Sequence, residues 1–449
     1  MLPDLIRRYA SPVPRYTSYP TAPHFHGEVD ARVYSSWLEQ EDGDAPLSLY
    51  LHVPFCDRLC WYCGCHTKHT RRYEPVTEYV DALVAEIALV ASRLPRRRSV
   101  GAIHFGGGSP TIVSPQDLVR VRNAIERHFD PQPSAEVSVE IDPGFVDAVK
   151  LAAWRDFGMT RASVGVQDFD PTVQKAINRP QSFAQTQRIV SLLREFGVGG
   201  INLDVVYGLP YQTLASLDRT LDLAVSMQPE RFAIFGYAHV PWMKKHQTLI
   251  DEQALAGIEE RFEMQQQIAD TLSAAGYLAV GIDHFAKPGD SLAEALNQKE
   301  VKRNFQGYTT DSAPALIGLG ASAIGRSERG YVQNIVATGE YMRAISEGRL
   351  PIAKGFALND VDRAVGDAIE GLMCHYGFSV RSLKERYGAA AEVVQADAAR
   401  IHQQDPDGFT AFDGDRFEVR PHGRMFVRTI ASRFDQYFGR GTARHSVAV

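Results

Sequence analysis

The chain has 449 residues, 44% of them hydrophobic and 23% charged, with a formal net charge of −6. This is the composition of an ordinary globular protein, long enough to bury a large core without disulfides. The mildly acidic balance speaks against a nucleic-acid partner or an anionic membrane surface, and no run of about 18 apolar residues offers a membrane span. The N-terminal stretch "MLPDLIRRYASPVPRYTSYPTAP" lacks the apolar centre of a signal peptide, so a cytoplasmic protein is expected.

Residues 1–40 are rich in Pro, Tyr and Ser with little periodicity, and read as an extended arm. From about residue 46 a strand–loop–helix unit repeats. "LSLYLHVPF" (47–55) reads as a strand, and Val76, Tyr79, Val80, Leu83, Val84, Ile87, Val90 and Leu94 mark an amphipathic helix. "VGAIHF" (100–105) is the next strand and runs into "GGGSPT". A helix is expected from Ser114 as N-cap, with Pro115 at its first position. Further strands are "AEVSVEIDP" (135–143), "RASVGVQDF" (161–169), "INLDVVYGLP" (201–210) and "RFAIFGYAHV" (231–240), and "YLAVGIDHFA" (277–286) adds one more. Six strands alternating with helices predict an α/β chain with a parallel sheet, a partial (β/α)6 TIM-like barrel.

The strand alternation carries a second message. Leu49, Leu51 and Val53 share one face of the first strand, and Tyr50 and His52 the other. Val137, Val139 and Ile141 oppose Ser138 and Glu140; Val164 and Val166 oppose Ser163, Gly165 and Gln167; Leu203 and Val205 oppose Asn202 and Asp204. Buried parallel strands usually read as continuous aliphatic runs. A polar inner face predicts a barrel interior that holds a ligand near the C-terminal strand ends, where Tyr50, Glu140, Gln167 and Asp204 fall. A set of satisfied structural polar groups is the alternative. Beyond about residue 355, helices followed by a hairpin and a helix resemble a winged-helix layout, whose mixed charges suit a packing or lid role. Domain boundaries are placed at 1–40 for the arm, 41–354 for the barrel with its extension, and 355–449 for a small C-terminal domain.

Four of the five cysteines lie in "CDRLCWYCGC" (56–65), and Cys374 in "GLMCHYGF" reads as a buried core thiol. A structural zinc site usually draws on two separated ligand pairs, which this loop lacks, although His66 and His69 keep zinc open as an alternative. Thiolates wrapped from one short loop suit an iron–sulfur cluster better. Cys56, Cys60 and Cys63, spaced C-x3-C-x2-C directly after the first strand, resemble the radical S-adenosylmethionine (SAM) superfamily. That resemblance implies a [4Fe–4S] cluster with one iron left open for SAM.

Ten segments in order between residues 14 and 325 resemble the oxygen-independent coproporphyrinogen III oxidase family. They are "PRYTSYPTA", "CDRLCWYCGC", "HFGGGSPT", "VEIDP", "GVQDFDPTVQKAINRPQ", "NLDVVYGLP", "GYAHVP", "GIDHFA", "KRNFQGYTT" and "LIGLGASAIG". The resemblance implies oxidative decarboxylation of two propionates of coproporphyrinogen III to vinyls, giving protoporphyrinogen IX, with two SAM molecules used per product. A SAM-derived 5′-deoxyadenosyl radical would take a hydrogen from the propionate β-carbon, and loss of CO2 and one electron would leave the vinyl. It further implies an electron donor of flavodoxin type, a final electron acceptor of unknown identity, and a monomer. Carried over residue by residue, Cys56, Cys60 and Cys63 match the cluster ligands. Tyr50, Gly107 and Glu140 match contacts to the cluster-bound SAM. Tyr62, Gly108, Ser109, Gln167, Arg179, Asp204, Ala238 and Ile324 match contacts to a second SAM, with Ser109 standing where Thr is common. Cys65 marks the subfamily, since haem-chaperone relatives generally lack it and the "PRYTSYPTA" arm. A substrate with four carboxylates calls for Arg, Lys or His around it, Arg above all for bidentate contact.

Overall fold

The computed structural model describes residues 2–439. Strands β1 (Leu47–Val53), β2 (Ser99–Gly107), β3 (Asp130–Ile141), β4 (Arg161–Gln167), β5 (Gly200–Tyr207) and β6 (Arg231–Gly236) lie side by side and parallel, in sequence order. Beyond β6 come the short antiparallel strands β7 (Leu278–Val280) and β8 (His284–Ala286). On the other side β9 (Leu316–Leu319) runs parallel to β1, with Leu49 opposite Ile317. Antiparallel β10 (Ile324–Ser327), β11 (Gly330–Asn334) and β12 (Ile352–Ala357) complete that flank. The result is one open sheet of 12 strands in the order β12-β11-β10-β9-β1-β2-β3-β4-β5-β6-β8-β7, with the expected six-stranded partial barrel at its centre.

The helices are α1 (Leu2–Tyr9), α2 (Ala31–Leu38), α3 (Glu74–Ala91), α4 (Pro115–His128), α5 (Ala148–Phe157), α6 (Pro171–Ala176), α7 (Phe183–Glu195), α8 (Leu214–Ser226), α9 (Ile258–Ala274), α10 (Ser291–Gln298) and α11 (Thr338–Ser346). Local chemistry fixes their starts. Ser114 caps α4 by accepting the Asp117 N–H, with Pro115 at the first position, and Thr213 and Ser216 form a reciprocal capping box on α8. The aliphatic strand faces lie under these helices in one continuous core that includes Leu49, Leu51, Val139, Val164 and Leu203. A second core is built by α12 (Asp360–His375), α13 (Val380–Tyr387), α14 (Glu392–Gln403), α15 (Val427–Ser432) and a small sheet of β13 (Gly377–Ser379), β14 (Thr410–Phe412) and β15 (Arg416–Val419). Cys374 is fully buried, as expected.

Two expectations need correction, and one helix is new. The first 40 residues are not extended throughout, because α1 and α2 form within them. Tyr34, Trp37 and Leu38 bury one face of α2 at helical spacing, and Asp30 caps it by accepting from the Arg32 and Val33 N–H groups. Eight residues are too few for that periodicity to stand out. The stretch 277–286 is two strands with a turn at 281–283, so it folds back on itself instead of adding one strand. Helix α14 was not anticipated.

The arm between α1 and α2 is fastened mainly to the far end of the chain. Arg428 donates to the carbonyls of Val13 (2.7 Å) and Pro14 (3.3 Å), Tyr16 donates to Asp435 (3.0 Å), and Tyr16 and Tyr19 belong to the C-terminal core.

A buried knot joins the first strand to the extension. Glu86 of α3 accepts from the Gly320 N–H (2.6 Å), the Asn334 side chain (2.7 Å) and the Tyr341 hydroxyl (2.6 Å). Burial pushes its carboxyl up to about 7, while the three donors pull it back down. Two turns away, Tyr79 donates to the His52 carbonyl and accepts from the Ala321 N–H. Gly320 has φ +94, and a Cβ there would stand 2.5 Å from both the His52 oxygen and the Tyr79 hydroxyl. Replacing Glu86 with Ala strands three buried polar partners, so Glu86→Ala is expected to lose about 3 kcal/mol or more of unfolding free energy. Urea denaturation followed by circular dichroism would check this, and a loss under about 1 kcal/mol would contradict it.

Candidate active site

The site lies on the polar face of the sheet, at the C-terminal ends of the parallel strands. Tyr50 and His52 point inward from β1. The Tyr50 hydroxyl donates to His52 Nδ1 (2.9 Å), and His52 Nε2 donates to the His66 carbonyl (3.0 Å). A carbonyl can only accept, so the second bond fixes the tautomer. Burial first of all lowers the ring to about 4 and keeps it neutral. On the neighbouring strands His104 stacks on Tyr50 at 5.6 Å and meets Ser138 and Glu140. Glu140 also accepts the Gly107 N–H at 3.0 Å. Burial raises its carboxyl, but His104 and that N–H outweigh burial and leave it below the ordinary range. The Glu140 side chain, from the middle of the sheet, is still 38% accessible, so the hollow in front of it is open.

The cysteine loop springs from the end of β1. It is closed by a two-residue parallel ladder, Phe55 and Cys56 against Lys68 and His69. Two other segments hold it in place. From one side Asn178 donates to the Leu59 carbonyl (2.8 Å) and the Ile177 carbonyl accepts the Trp61 N–H. From the other, Lys244, His246 and Gln247 donate to the carbonyls of Cys65, Cys63 and Tyr62 at 2.8, 2.7 and 2.8 Å.

Arg179 is almost fully buried, which rules out the solvated helix-face charge that its sequence context also allows. It donates to Asp142 (2.9 Å), the Gly165 carbonyl (2.8 Å) and the Cys60 sulfur (3.4 Å). Cys65 donates its backbone N–H to the Cys63 sulfur at 3.4 Å. That side chain and N–H together hold the Cys63 thiol low, whereas burial and then the other two thiols push Cys56 up. Cys56, Cys60 and Cys63 therefore face one another closely enough that their thiolates repel. Among the described residues, no three His, Cys, Asp or Glu side chains close on the position of a single ion. The three thiols come from one short loop and lie near enough to feel one another's charge. This donor set fits an iron–sulfur cluster, whose irons take thiolate ligands and relieve that repulsion.

The glycine turn closes over this loop. Gly107 has φ +112, and a Cβ on it would sit 2.5 Å from the His52 ring. At Gly108 a Cβ would lie 2.5 Å from the Phe55 oxygen, so the backbone can approach that loop only as glycine. The Gly108 and Ser109 N–H groups donate to the carbonyls of Val53 and Phe55, and the Ser109 hydroxyl meets Cys56.

Further along the sheet, Asp204 accepts from Ser163 (2.8 Å) and Asn202 (2.7 Å), and burial above all lifts its carboxyl to about 7. Gln167 sits at a bulge at the end of β4 with φ +66. Tyr62 rests on the apolar cluster around Val206 and Tyr237, and Gln247 bridges the Tyr62 carbonyl to the Ala238 carbonyl (3.3 Å). Ile324 opens β10, two strands beyond β1, and strand order alone places it. The predicted residues thus gather at one mouth, with Ile324 at its flank. The sequence reading did not single out His52, His104, Asp142 or the 244–247 tether as site residues. The two histidines had a usable signal, because both alternate inward on their strands.

Residues 50–224 match the Radical SAM superfamily. An oxygen-independent coproporphyrinogen III oxidase from Bradyrhizobium diazoefficiens is 48% identical over 97% of this chain and 97% of its own. Its namesake from Paracoccus denitrificans is 41% identical over 97% and 96%. The coproporphyrinogen III oxidase of Escherichia coli, described as a radical SAM enzyme, superposes with a TM-score of 0.90 at 33% identity, covering 94% of this chain and 98% of that one. Full-length identity at this level, together with three cysteines in one loop after the first strand of an open parallel sheet, leads to one conclusion: the chain belongs to the family of oxygen-independent coproporphyrinogen III oxidases within the radical SAM superfamily.

Proposed function

We propose that this chain oxidatively decarboxylates two propionate side chains of coproporphyrinogen III to vinyls, giving protoporphyrinogen IX. The observation that carries the reading is the three-cysteine loop at the end of β1 held against the glycine turn, whose Gly107 N–H meets Glu140. Cys56, Cys60 and Cys63 would hold a [4Fe–4S] cluster. Tyr50, Gly107 and Glu140 would contact the SAM on its open iron, with the Glu140 carboxylate suited to an ammonium or hydroxyl. Tyr62, Gly108, Ser109, Gln167, Arg179, Asp204, Ala238 and Ile324 would contact a second SAM. When bound, cluster and SAM supply the carbon radical that removes a hydrogen atom from substrate.

The chain's own residues prepare the place. His52, neutral and anchored at both nitrogens, cannot add charge beside the thiols. Arg179 offsets the charge of thiolate Cys60 while Asp142 keeps it aimed. The glycine turn brings main-chain N–H groups to the loop. The segments 1–40, 41–354 and 355–449 are read as arm, barrel and C-terminal domain, and the arm is the part associated with substrate. An electron donor of flavodoxin type, a monomeric state and a cytoplasmic location complete the proposal; among the described residues no helix is long and apolar enough to cross a membrane.

Three outcomes are expected. Anaerobic incubation with SAM, a reductant and coproporphyrinogen III yields protoporphyrinogen IX with release of two CO2, followed by chromatography; SAM cleavage with no vinyl product would refute the substrate. Cys60→Ser retains under about half of the wild-type iron and loses the brown absorbance; full iron content would show that Cys60 is not a ligand. Finally, a carboxyl raised in the fold stabilises below the ordinary carboxylate range, and that contribution is lost as pH climbs through about 7. Without SAM, wild type should therefore lose stability relative to Asp204→Asn between about pH 4 and about pH 8, as read by denaturant melts. Parallel curves would contradict the raised Asp204.

A further inference from the structure

His104 stands on the inner face of β2, in register with Tyr50 on β1 and with Ser138 on β3. Its ring therefore meets three inward side chains at once. It stacks on Tyr50 with 5.6 Å between ring centres and 23° between planes, its Nδ1 bonds the Ser138 hydroxyl, and its Nε2 lies 3.4 Å from Glu140 Oε1. A carboxylate only accepts, so Nε2 supplies the proton of that last bond. The Ser138 hydroxyl can donate to a neutral ring or accept from a charged one, so the Nε2 proton stays on Glu140 in either state. The other carboxylate oxygen, Oε2, accepts the Gly107 N–H at 3.0 Å. One donor thus holds each oxygen, and among the described residues His104 is the one side chain hydrogen-bonded to this carboxylate. Gly106, between the two, leaves the space that the carboxylate fills. A Cβ there would stand 2.7 Å from Oε1 and 3.1 Å from the Tyr50 ring. Burial raises the Glu140 carboxyl, and His104 is the foremost of the groups that pull it back below its ordinary range. A carboxylate offers about four lone-pair sites, so about two remain for a ligand in the open hollow.

We propose that His104 is the positioning residue for Glu140: it fixes the carboxylate over Gly106 and beside Tyr50, so that its remaining lone pairs face the amino or hydroxyl group of SAM. The inference rests on the reading of Glu140 given above. A long side chain beside an open hollow keeps much of its rotamer freedom, and the Gly107 N–H alone would let the carboxylate swing about a single bond. A second donor on the other oxygen fixes its plane as well as its place. The His104 ring is itself set by Tyr50 from one strand and by Ser138 from the other, so turning it breaks its bonds to both Ser138 and Glu140. Support of this kind is what holds a group that meets ligand in its productive geometry.

The test uses cluster-loaded full-length protein and compares wild type with His104→Phe, His104→Gln, Glu140→Gln and the double variant His104→Phe with Glu140→Gln. Phe keeps a ring against Tyr50 and removes the donor, whereas Gln restores a donor without the ring. SAM is titrated on the oxidised cluster, and the change in cluster absorbance reports the molecule at the open iron. Its dissociation constant is expected to rise about tenfold or more in His104→Phe, with His104→Gln recovering part of the loss. Iron content and KM for coproporphyrinogen III should stay within about twofold of wild type. In the Glu140→Gln background the same His104→Phe change should weaken SAM by less than about twofold, because the group it positions is already altered. Should His104→Phe misfold, His104→Asn, which can meet Ser138 but is too short for Glu140, carries the same expectation. Equal weakening in both backgrounds would show that His104 acts apart from Glu140 and would overturn the assignment. So would wild-type affinity in His104→Phe where Glu140→Gln binds SAM weakly. If Glu140→Gln itself binds SAM as wild type does, the reading of Glu140 falls and this proposal with it. A wild type that binds SAM without converting coproporphyrinogen III overturns the proposed substrate and leaves the role of His104 to be decided by the SAM titrations.

Discussion

The site depends on how firmly the end of β1 is held, because the cysteine loop hangs from it. That end is gripped from outside the barrel by Tyr79 and Glu86, one helical face of α3 that also captures the Gly320 turn of the extension. The carbonyl of His52 is fixed by Tyr79 on one side of the strand, while its ring is fixed by Tyr50 and the His66 carbonyl on the other. Movement of α3 would thus reach the thiols through a single residue. A buried carboxylate with three donors is a demanding arrangement, since losing any one of them leaves the others exposed to an apolar core. Its location away from the mouth separates the group that sets geometry from the groups that meet ligand.

The inner face of the sheet is the second organising constraint. His104 joins Ser138 and Glu140 across β2 and β3, and Ser163, Asn202 and Asp204 form a second hydrogen-bonded group across β4 and β5. Each has a neighbour as partner, though the Asn202 amide oxygen is left without one, and Glu140 still faces an open hollow. Because most of this polar lining is internally paired, a polar cofactor can enter without stranding it.

The sequence reveals most where a short repeat meets a sharp chemical contrast. Period-two alternation marked four of the six central strands because their outward residues are aliphatic and their inward ones polar. The cysteine spacing pointed to a metal cluster because a ten-residue loop has few other uses for three thiols. The reading failed where structure comes from distant partners. The arm's polar and proline-rich residues take their places from Arg428 and Asp435, more than 400 positions away. The tether at 244–247 looks like an exposed loop, and only the fold brings it to the carbonyls of the cysteine loop. Arg179 gave no local hint of burial, and its partners Asp142 and Cys60 arrive from two other strand ends.

The fastening of the arm by the last helices also sets an order of assembly. Residues 13–16 are made more than 400 positions before Arg428 and Asp435, the groups that hold them. The sheet has its own core and the cysteine loop springs from it, so both can form while the arm is still unfastened. A chain truncated before Arg428 would therefore keep the sheet but lose the clasp of the arm, and with it the fixed course of the polypeptide between α1 and α2.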